Sequence, residues 1–189
     1  TAIAMGADEA VLIEDDAYAA RDGYSTALAL FKALEKETFD IILTGRQAID
    51  ADRGEVPQMV SQMLGLPHVG VVVKLDISDG KAEAVSSLEG AKEVVEVALP
   101  AVFTAQKGLN EPRVPLITGV MKAMKVQIPK LTIEDLGLTK DMAAPENSKT
   151  QIVRYLPPKK RPAVQLIPGE AREAAAEAVR ILVDIERVI

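Results

Sequence analysis

The stretch DIILTGRQAIDADRGEVPQMVSQMLGLP, Asp40 to Pro67, decides how the chain folds. Phe39 to Gly45 is apolar on both faces, as a central parallel strand is. After a polar decade, Val56, Met59, Val60, Met63 and Leu64 recur at the spacing of one helix face, and Gly65 and Pro67 stop that helix. Upstream, GADEAVLIED reads as a short buried strand after a glycine stop. In STALALFKALEK, Ala27, Leu30, Phe31 and Leu34 mark another helix face, with Ser25 or Thr26 as its cap. Strand, helix, strand, helix predicts an α/β domain with a parallel-core sheet and flanking helices.

Downstream the pattern becomes a meander. Val69 to Ile77 and Lys81 to Leu88 are strands joined at Ser78-Asp79-Gly80, and EGAKEVVEVALPAVFTA adds a third, with Pro100 arguing against a central ladder position. Antiparallel strands at the edge of the parallel sheet account for this. Beyond Thr104, LITGVMKAMK and LTIEDLGL read as short helical elements, with Thr132 capping the second. Lys140 to Lys149 is linker-like, and the chain from Lys149 to Pro168 carries five Lys or Arg, no acid and four prolines. A terminal helix then places Ala175, Ala178, Val179, Leu182, Ile185 and Ile189 on one face. The expected division is an α/β domain over 1–140 and, over 141–189, an extended arm with a C-terminal helix, for which lying across another subunit is a natural use. TAIAMGADEAVL reads as the end of a helix, a turn and a strand, so the N-terminal part of a longer domain is expected to be missing.

Composition narrows the chemistry. The 189 residues include no Cys and one His, so thiol nucleophiles, Cys metal sites and His-rich metal sites are excluded. A net charge of -6 and 3% aromatics argue against nucleic acid, and no apolar run is long enough for a membrane span. His68 reads as structural.

The polar decade lies where open α/β sheets bind ligands, between the carboxyl end of a strand and a helix. Gly45 and Gly54 allow close backbone approach, the helix start near Val56 offers amides to a phosphate, and Arg46 and Arg53 add charge. Asp50, Asp52 and Glu55 suit ribose hydroxyls, an adenine amino group or backbone amides better than a phosphate. The stretch matches neither a P-loop nor a dinucleotide fingerprint. Three readings stay open on pattern alone: a capped turn, a nucleotide cradle, and acid–base work by Asp50 and Asp52. Metal binding by Asp50, Asp52 and Glu55 lacks calcium-loop spacing. In LNEPRVPLITGVMKAMK, Leu109, Ile117 and Met121 stand beside Lys122 and Lys125, which fits either a docking element or a packed amphipathic helix.

Four ordered segments carry a resemblance: TGRQAID, GEVPQMVSQMLGLP, EGAKEVVEVALPAVFTA and LNEPRVPLITGVMKAMK. Together they resemble the beta subunit of electron transfer flavoprotein, the FixA-like family, across nearly the whole chain. The resemblance implies an adenine nucleotide alpha hydrolase-like core without hydrolase activity, paired with an alpha subunit that carries the redox flavin. It implies AMP or a second FAD as cofactor, held by Gly45, Arg46, Gln47, Ala48, Ile49, Asp50, Ala51, Asp52, Arg53, Gly54, Glu55 and Val56. Valine at 56 resembles electron-bifurcating members and leans the choice to FAD. The family's docking loop for an acyl-CoA or other dehydrogenase maps onto Asn110 to Lys125. Within it, Asn110, Pro112, Arg113, Ile117, Met121, Lys122 and Lys125 are the contact residues, with Ile117 as the apolar anchor. Departures are Glu55 where Gln is usual, Ser86 for a basic residue, and Ala91 for Gly. The setting implied is the cytoplasm of a bacterium or archaeon, with the mitochondrial matrix as the alternative. No independent catalysis is expected. The competing classes are a stand-alone adenine-nucleotide-binding module resembling stress proteins, and an acid-assisted hydrolase.

Overall fold

A computed structural model describes residues 1–15, 22–139, 142, 148–158, 160, 163–164 and 166–188. The chain divides into two compact units, Thr1–Gln151 and Ile152–Ile189. The linker-like decade 140–149 and the helix-face residue Ile189 fall largely outside the described residues.

The first unit begins with a single 3-10 turn, Ile3–Met5, closed by Gly6 in the left-handed region. Strand β1 (Leu12–Ile13) follows, then helix α1 (Gly23–Leu34), strand β2 (Ile41–Gly45) and helix α2 (Val56–Leu64). Gly65 takes φ 68° at the end of α2, and its amide returns to Gln62 and Ser61 carbonyls, so the left-handed stop read in the sequence is realised. Strands β3 (His68–Ser78), β4 (Lys81–Leu88), β5 (Ala91–Ala98) and β6 (Ala101–Ala105) complete a five-stranded sheet. Its order is β2-β6-β3-β4-β5, with β2, β6 and β3 parallel and β4 and β5 antiparallel at one edge. Helix α3 (Ile117–Ala123) and strand β7 (Lys130–Leu131) finish the unit.

The α/β class with a parallel core and antiparallel edge strands is as the sequence pattern predicts. Four details differ. The run EGAKEVVEVALPAVFTA is two strands, because the Leu99–Pro100 peptide turns the chain between them. The second of these, β6, is the most buried strand and sits between β2 and β3. Pro100 thus lies outside the ladder, and its presence says nothing against a central strand next to it. Strand β2 is not central: it lies at the edge of this sheet among the described residues, which leaves Leu43 at 55% exposure. Strand β1 joins no part of the main sheet. Among the described residues it pairs, in parallel, with β7 alone, and Val11 and Leu12 are exposed. In α1 the buried positions are Gly23, Ser25, Ala27 and Ala29, while Leu30 reaches the surface.

Two small cores result. Val69, Val72, Ala82, Ala84, Ala101 and Phe103 form one, with Ile41, Leu75, Val95 and Val97 against it. Ile133, Leu136 and Leu138 bury against Ala29 of α1 to form the other. The Thr132 hydroxyl accepts from the Asp135 amide at 3.3 Å, the cap expected there.

Where the sheet changes from parallel to antiparallel pairing, β3 bulges. Pairing with β6 slips between Val69 and Val72, and Val71 takes φ 54°. A β-branched residue in that region stores about 1–3 kcal/mol of strain. Two buried hydroxyls compensate: Thr104 Oγ accepts from the Val71 amide at 2.9 Å, and Ser86 Oγ donates to the Gly70 carbonyl at 2.6 Å. Ser86 therefore serves the bulge.

The second unit contains helix α4 (Ala171–Arg180), continued by a π-helical turn over Ile181–Ile185. Neither element buries a residue, and Val179, Leu182 and Ile185 stay exposed.

Candidate functional site

The chain leaves β2 at Gly45 and re-enters order at Val56, so the twelve cradle residues form one strand–loop–helix connection at the carboxyl end of parallel strands. Nothing lies within 4 Å of where a Cβ on Gly45 would stand, so the exit from the strand is open. Arg46, Gln47, Ala48, Ile49, Asp50, Ala51 and Asp52 are exposed, and Arg53, Gly54, Glu55 and Val56 are half-buried.

The acids act locally. Asp50 accepts from the amide of Ala51 at 2.8 Å. Asp52 sits at φ 53°, its amide donates to the Ala48 carbonyl at 2.9 Å, and its carboxylate accepts from the Gln47 side chain. These bonds hold the loop as turn acids do. Ile49 projects fully into solvent at 101% exposure. His68, at the start of β3, contributes nothing to this loop. Its Nε2 is buried with no hydrogen-bond partner, and burial lowers its pKa below the ordinary histidine value.

Glu55 precedes α2 but makes no side-chain cap, and Pro57 in the first turn has no N–H to give. The amides of Val56 and Gln58 are the donors that the first turn can present. The carboxylate of Glu55 instead lies over Gly23, the first residue of α1: a Cβ on Gly23 would stand 2.2 Å from Glu55 Oε1. Two helix N-termini are thereby brought together beside the loop. An open glycine, an uncapped helix start and the two arginines of the loop are of the kind that suits an adenine nucleotide's phosphate, and the loop acids of the kind that suits its ribose. The donor set fits the AMP portion common to AMP and FAD.

Asp22, which sequence pattern did not single out, is 3% exposed. It, rather than Ser25 or Thr26, caps α1, accepting from the Ser25 amide at 2.9 Å. Its other oxygen accepts from the amides of Lys149 and Thr150 at 2.5 and 3.0 Å. Burial pushes this carboxyl upward, but bonds from Ser25, Thr150 and Lys149 outweigh it and hold the group below the ordinary Asp range. The signal was available as Asp22-x-x-Ser25, an N-cap spacing hidden by the hydroxyls that follow it.

The second candidate region follows β6. Asn110 donates to the Glu111 carbonyl at 3.2 Å, Pro112 is exposed, and Arg113 reaches over Gly6. Ile117 opens α3 at 82% exposure, and Met121 at 56% follows one turn later. Lys122 lies in the last turn, and the Lys125 amide donates to the Lys122 carbonyl just beyond it. No residue of α3 is buried. The helix is nonetheless seated on the 3-10 turn: a Cβ on Gly119 would fall 2.4 Å from the Ala4 carbonyl oxygen, so only glycine allows that backbone contact. Val114, Leu116, Val120 and Met124 extend the exposed apolar surface.

Among the described residues no group of three His, Asp or Glu could hold a metal ion, and no helix is long and apolar enough to cross a membrane.

Comparison with known proteins resolves what the geometry leaves general. The model of the electron transfer flavoprotein domain matches residues 1–136. The chain belongs to the electron transfer flavoprotein family. It is 42% identical to the electron transfer flavoprotein subunit beta of Bacillus subtilis, over 100% of this chain and 73% of that protein. A second relative, the corresponding subunit of Thermoanaerobacterium thermosaccharolyticum, is 40% identical over 96% of this chain and 70% of its own length. Subunit CarD of the caffeyl-CoA reductase-Etf complex of Acetobacterium woodii is 36% identical over 88% of this chain and 64% of its own length. Family membership as a beta subunit replaces the stand-alone module and the acid hydrolase as readings of the chain.

Proposed function

We propose that this beta subunit holds AMP or a second FAD in the β2–α2 loop, docks partner dehydrogenases through α3, and works as a heterodimer with a flavin-bearing alpha subunit. The observation that carries the reading is a loop at the carboxyl end of parallel strands that starts at an open Gly45 and ends at an uncapped α2. The nucleotide would meet the Val56 and Gln58 amides and the Arg46 and Arg53 charges with its phosphate, and Asp50 or Asp52 with its ribose. A flavin bound there supplies one- or two-electron redox chemistry. The chain's own residues bind, orient and dock, and no bond is made or broken by a side chain. Valine at 56 favours FAD and a bifurcating role.

The exposed face of Ile117 and Met121, flanked by Lys122 and Lys125, supports docking to a dehydrogenase of an acyl-CoA or related substrate. The A. woodii relative, a subunit of a complex named for a caffeyl-CoA reductase, is in keeping with a CoA-thioester partner. The exposed apolar face of α4 supports packing of the C-terminal arm, from about 141 onward, on the alpha subunit. Relatives from bacteria support a cytoplasmic setting. Acid release of small molecules from the assembled heterodimer, followed by mass spectrometry, tests the reading. AMP or FAD beyond the alpha subunit's own flavin is expected, and its absence would refute the nucleotide role.

A further inference from the structure

Asp22 joins two things that sequence reading keeps apart. On one side is the β2–α2 loop, whose last residue, Glu55, lays its side chain over Gly23 so closely that a Cβ would stand 2.2 to 2.8 Å from three of its atoms. On the other side are Lys149 and Thr150, whose amides both end on Asp22 Oδ2. The second unit starts at Ile152, immediately after. Between these lies a single peptide link, from Asp22 to Gly23, at the first turn of α1. Three further contacts hold it: Asp22 Oδ1 caps the helix, the Thr26 hydroxyl donates to the Asp22 carbonyl at 3.0 Å, and the Lys149 ammonium lies 5.4 Å from the centre of the Tyr24 ring. One buried carboxylate thus receives three amides from two separate parts of the chain, all within the first unit.

We propose that Asp22 is a positioning residue that couples the β2–α2 loop to the root of the C-terminal unit, so that a nucleotide in the loop tightens the anchorage of Lys149 and Thr150. The proposal rests on the nucleotide reading above. A ligand that recruits the Glu55 carboxylate changes what stands over Gly23, and the first turn of α1 adjusts with it. That turn carries the carboxylate on which the 149–150 amides depend. Coupling of this kind is reciprocal: if the nucleotide strengthens the clasp, loss of the clasp weakens the nucleotide. Asp22 touches no ligand in this scheme; it acts through Gly23 and Glu55.

The test is amide hydrogen exchange at Lys149 and Thr150, read by NMR in the assembled heterodimer, stripped of its beta-site nucleotide and then given AMP. Saturating AMP is expected to slow both amides by about fivefold or more. Asp22→Ser keeps a capping hydroxyl for α1 but is too short to reach the second pair of amides. In that variant both amides should exchange rapidly with or without AMP, and AMP should bind more weakly by a similar factor. Glu55→Ala cuts the link at its other end. There the two amides should stay protected by Asp22 but no longer respond to AMP. If AMP binds the wild-type protein and the exchange rates do not change, the coupling is overturned while the nucleotide reading stands. If neither AMP nor FAD binds, both fall. An AMP response that survives in Asp22→Ser or Glu55→Ala would equally overturn the role given to Asp22.

Discussion

The chain leaves β2 and β6 at the same end of the sheet, because the two strands are parallel neighbours, yet it builds opposite surfaces there. After β2 the loop is polar: the Asp50 and Asp52 carboxylates accept from the Ala51 amide and the Gln47 side chain, and the Asp52 amide donates to the Ala48 carbonyl. After β6 the segment is apolar, and α3 buries none of its residues. A polar loop that bonds its own acids and leaves a glycine open is stable in water without a covering surface. Exposed Ile117, Met121 and Met124 gain only when a large surface covers them. On the proposed function the two segments serve two kinds of recognition, and substitutions should separate them.

The largest effect is expected from Gly119→Leu. A side chain there collides with the Ala4 carbonyl, and overpacking of this kind typically costs about 1–3 kcal/mol. Helix α3 should lift from the 3-10 turn, and electron transfer from a partner dehydrogenase should fall by well over about tenfold by stopped-flow absorbance. Nucleotide content should not change; if it falls too, the two surfaces are not independent.

Ile117→Ala removes the apolar anchor without touching the seat of the helix. Loss of a central interface side chain costs about 1–2 kcal/mol, so transfer should slow about tenfold. Because Ile117 is exposed, the melting temperature should hold, with stability within about 0.5 kcal/mol of wild type. Equal transfer rates would remove the docking role from this face.

Gly23→Ala acts on the other surface. It must displace the flexible Glu55 side chain, so nucleotide affinity should drop by about three- to fivefold in isothermal titration, with dehydrogenase transfer kept once the site is saturated. In the double variant Gly23→Ala with Glu55→Ala the two losses should not add, since both act on one contact.

The smallest effect concerns the sheet beneath both surfaces. Burial holds the folded-state pKa of His68 below its unfolded value of about 6.5. The stability tied to its neutral form is complete above the unfolded pKa and is lost as pH falls through the folded one. Thermal melts at pH 7.5 and 5.5 should show a modest acid-side loss that His68→Phe reduces; an identical pH dependence in the variant would contradict this.

What could be read from the sequence was local. Helix α2, its glycine stop and the meander all follow from spacing of two, three and four residues, which near neighbours impose. The strand–loop–helix connection over 45–56 was legible for the same reason: a strand, a polar decade and a helix are consecutive. The misplaced pieces depend on partners far along the chain. β6 looks like the tail of one long strand until the turn at Pro100 sends it between β2 and β3. β1 looks buried, yet it pairs only with β7. Asp22 reads as one acid among many, and only the fold brings Lys149 and Thr150 to it. The contact between Gly23 and Glu55 is likewise tertiary, so neither residue carries a pattern that announces it.

Gly45 gives the most direct test of the central claim. A Cβ at this position meets nothing within 4 Å, so Gly45→Val should fold and assemble with the alpha subunit. On the proposed nucleotide role, its side chain would stand where the ligand enters the loop. Acid release and mass spectrometry of the two heterodimers should find about one AMP, or a second FAD, in the wild-type protein and a large loss of it in Gly45→Val. A wild-type protein with only the alpha subunit's flavin, or a Gly45→Val protein that retains the nucleotide in full, would contradict the account.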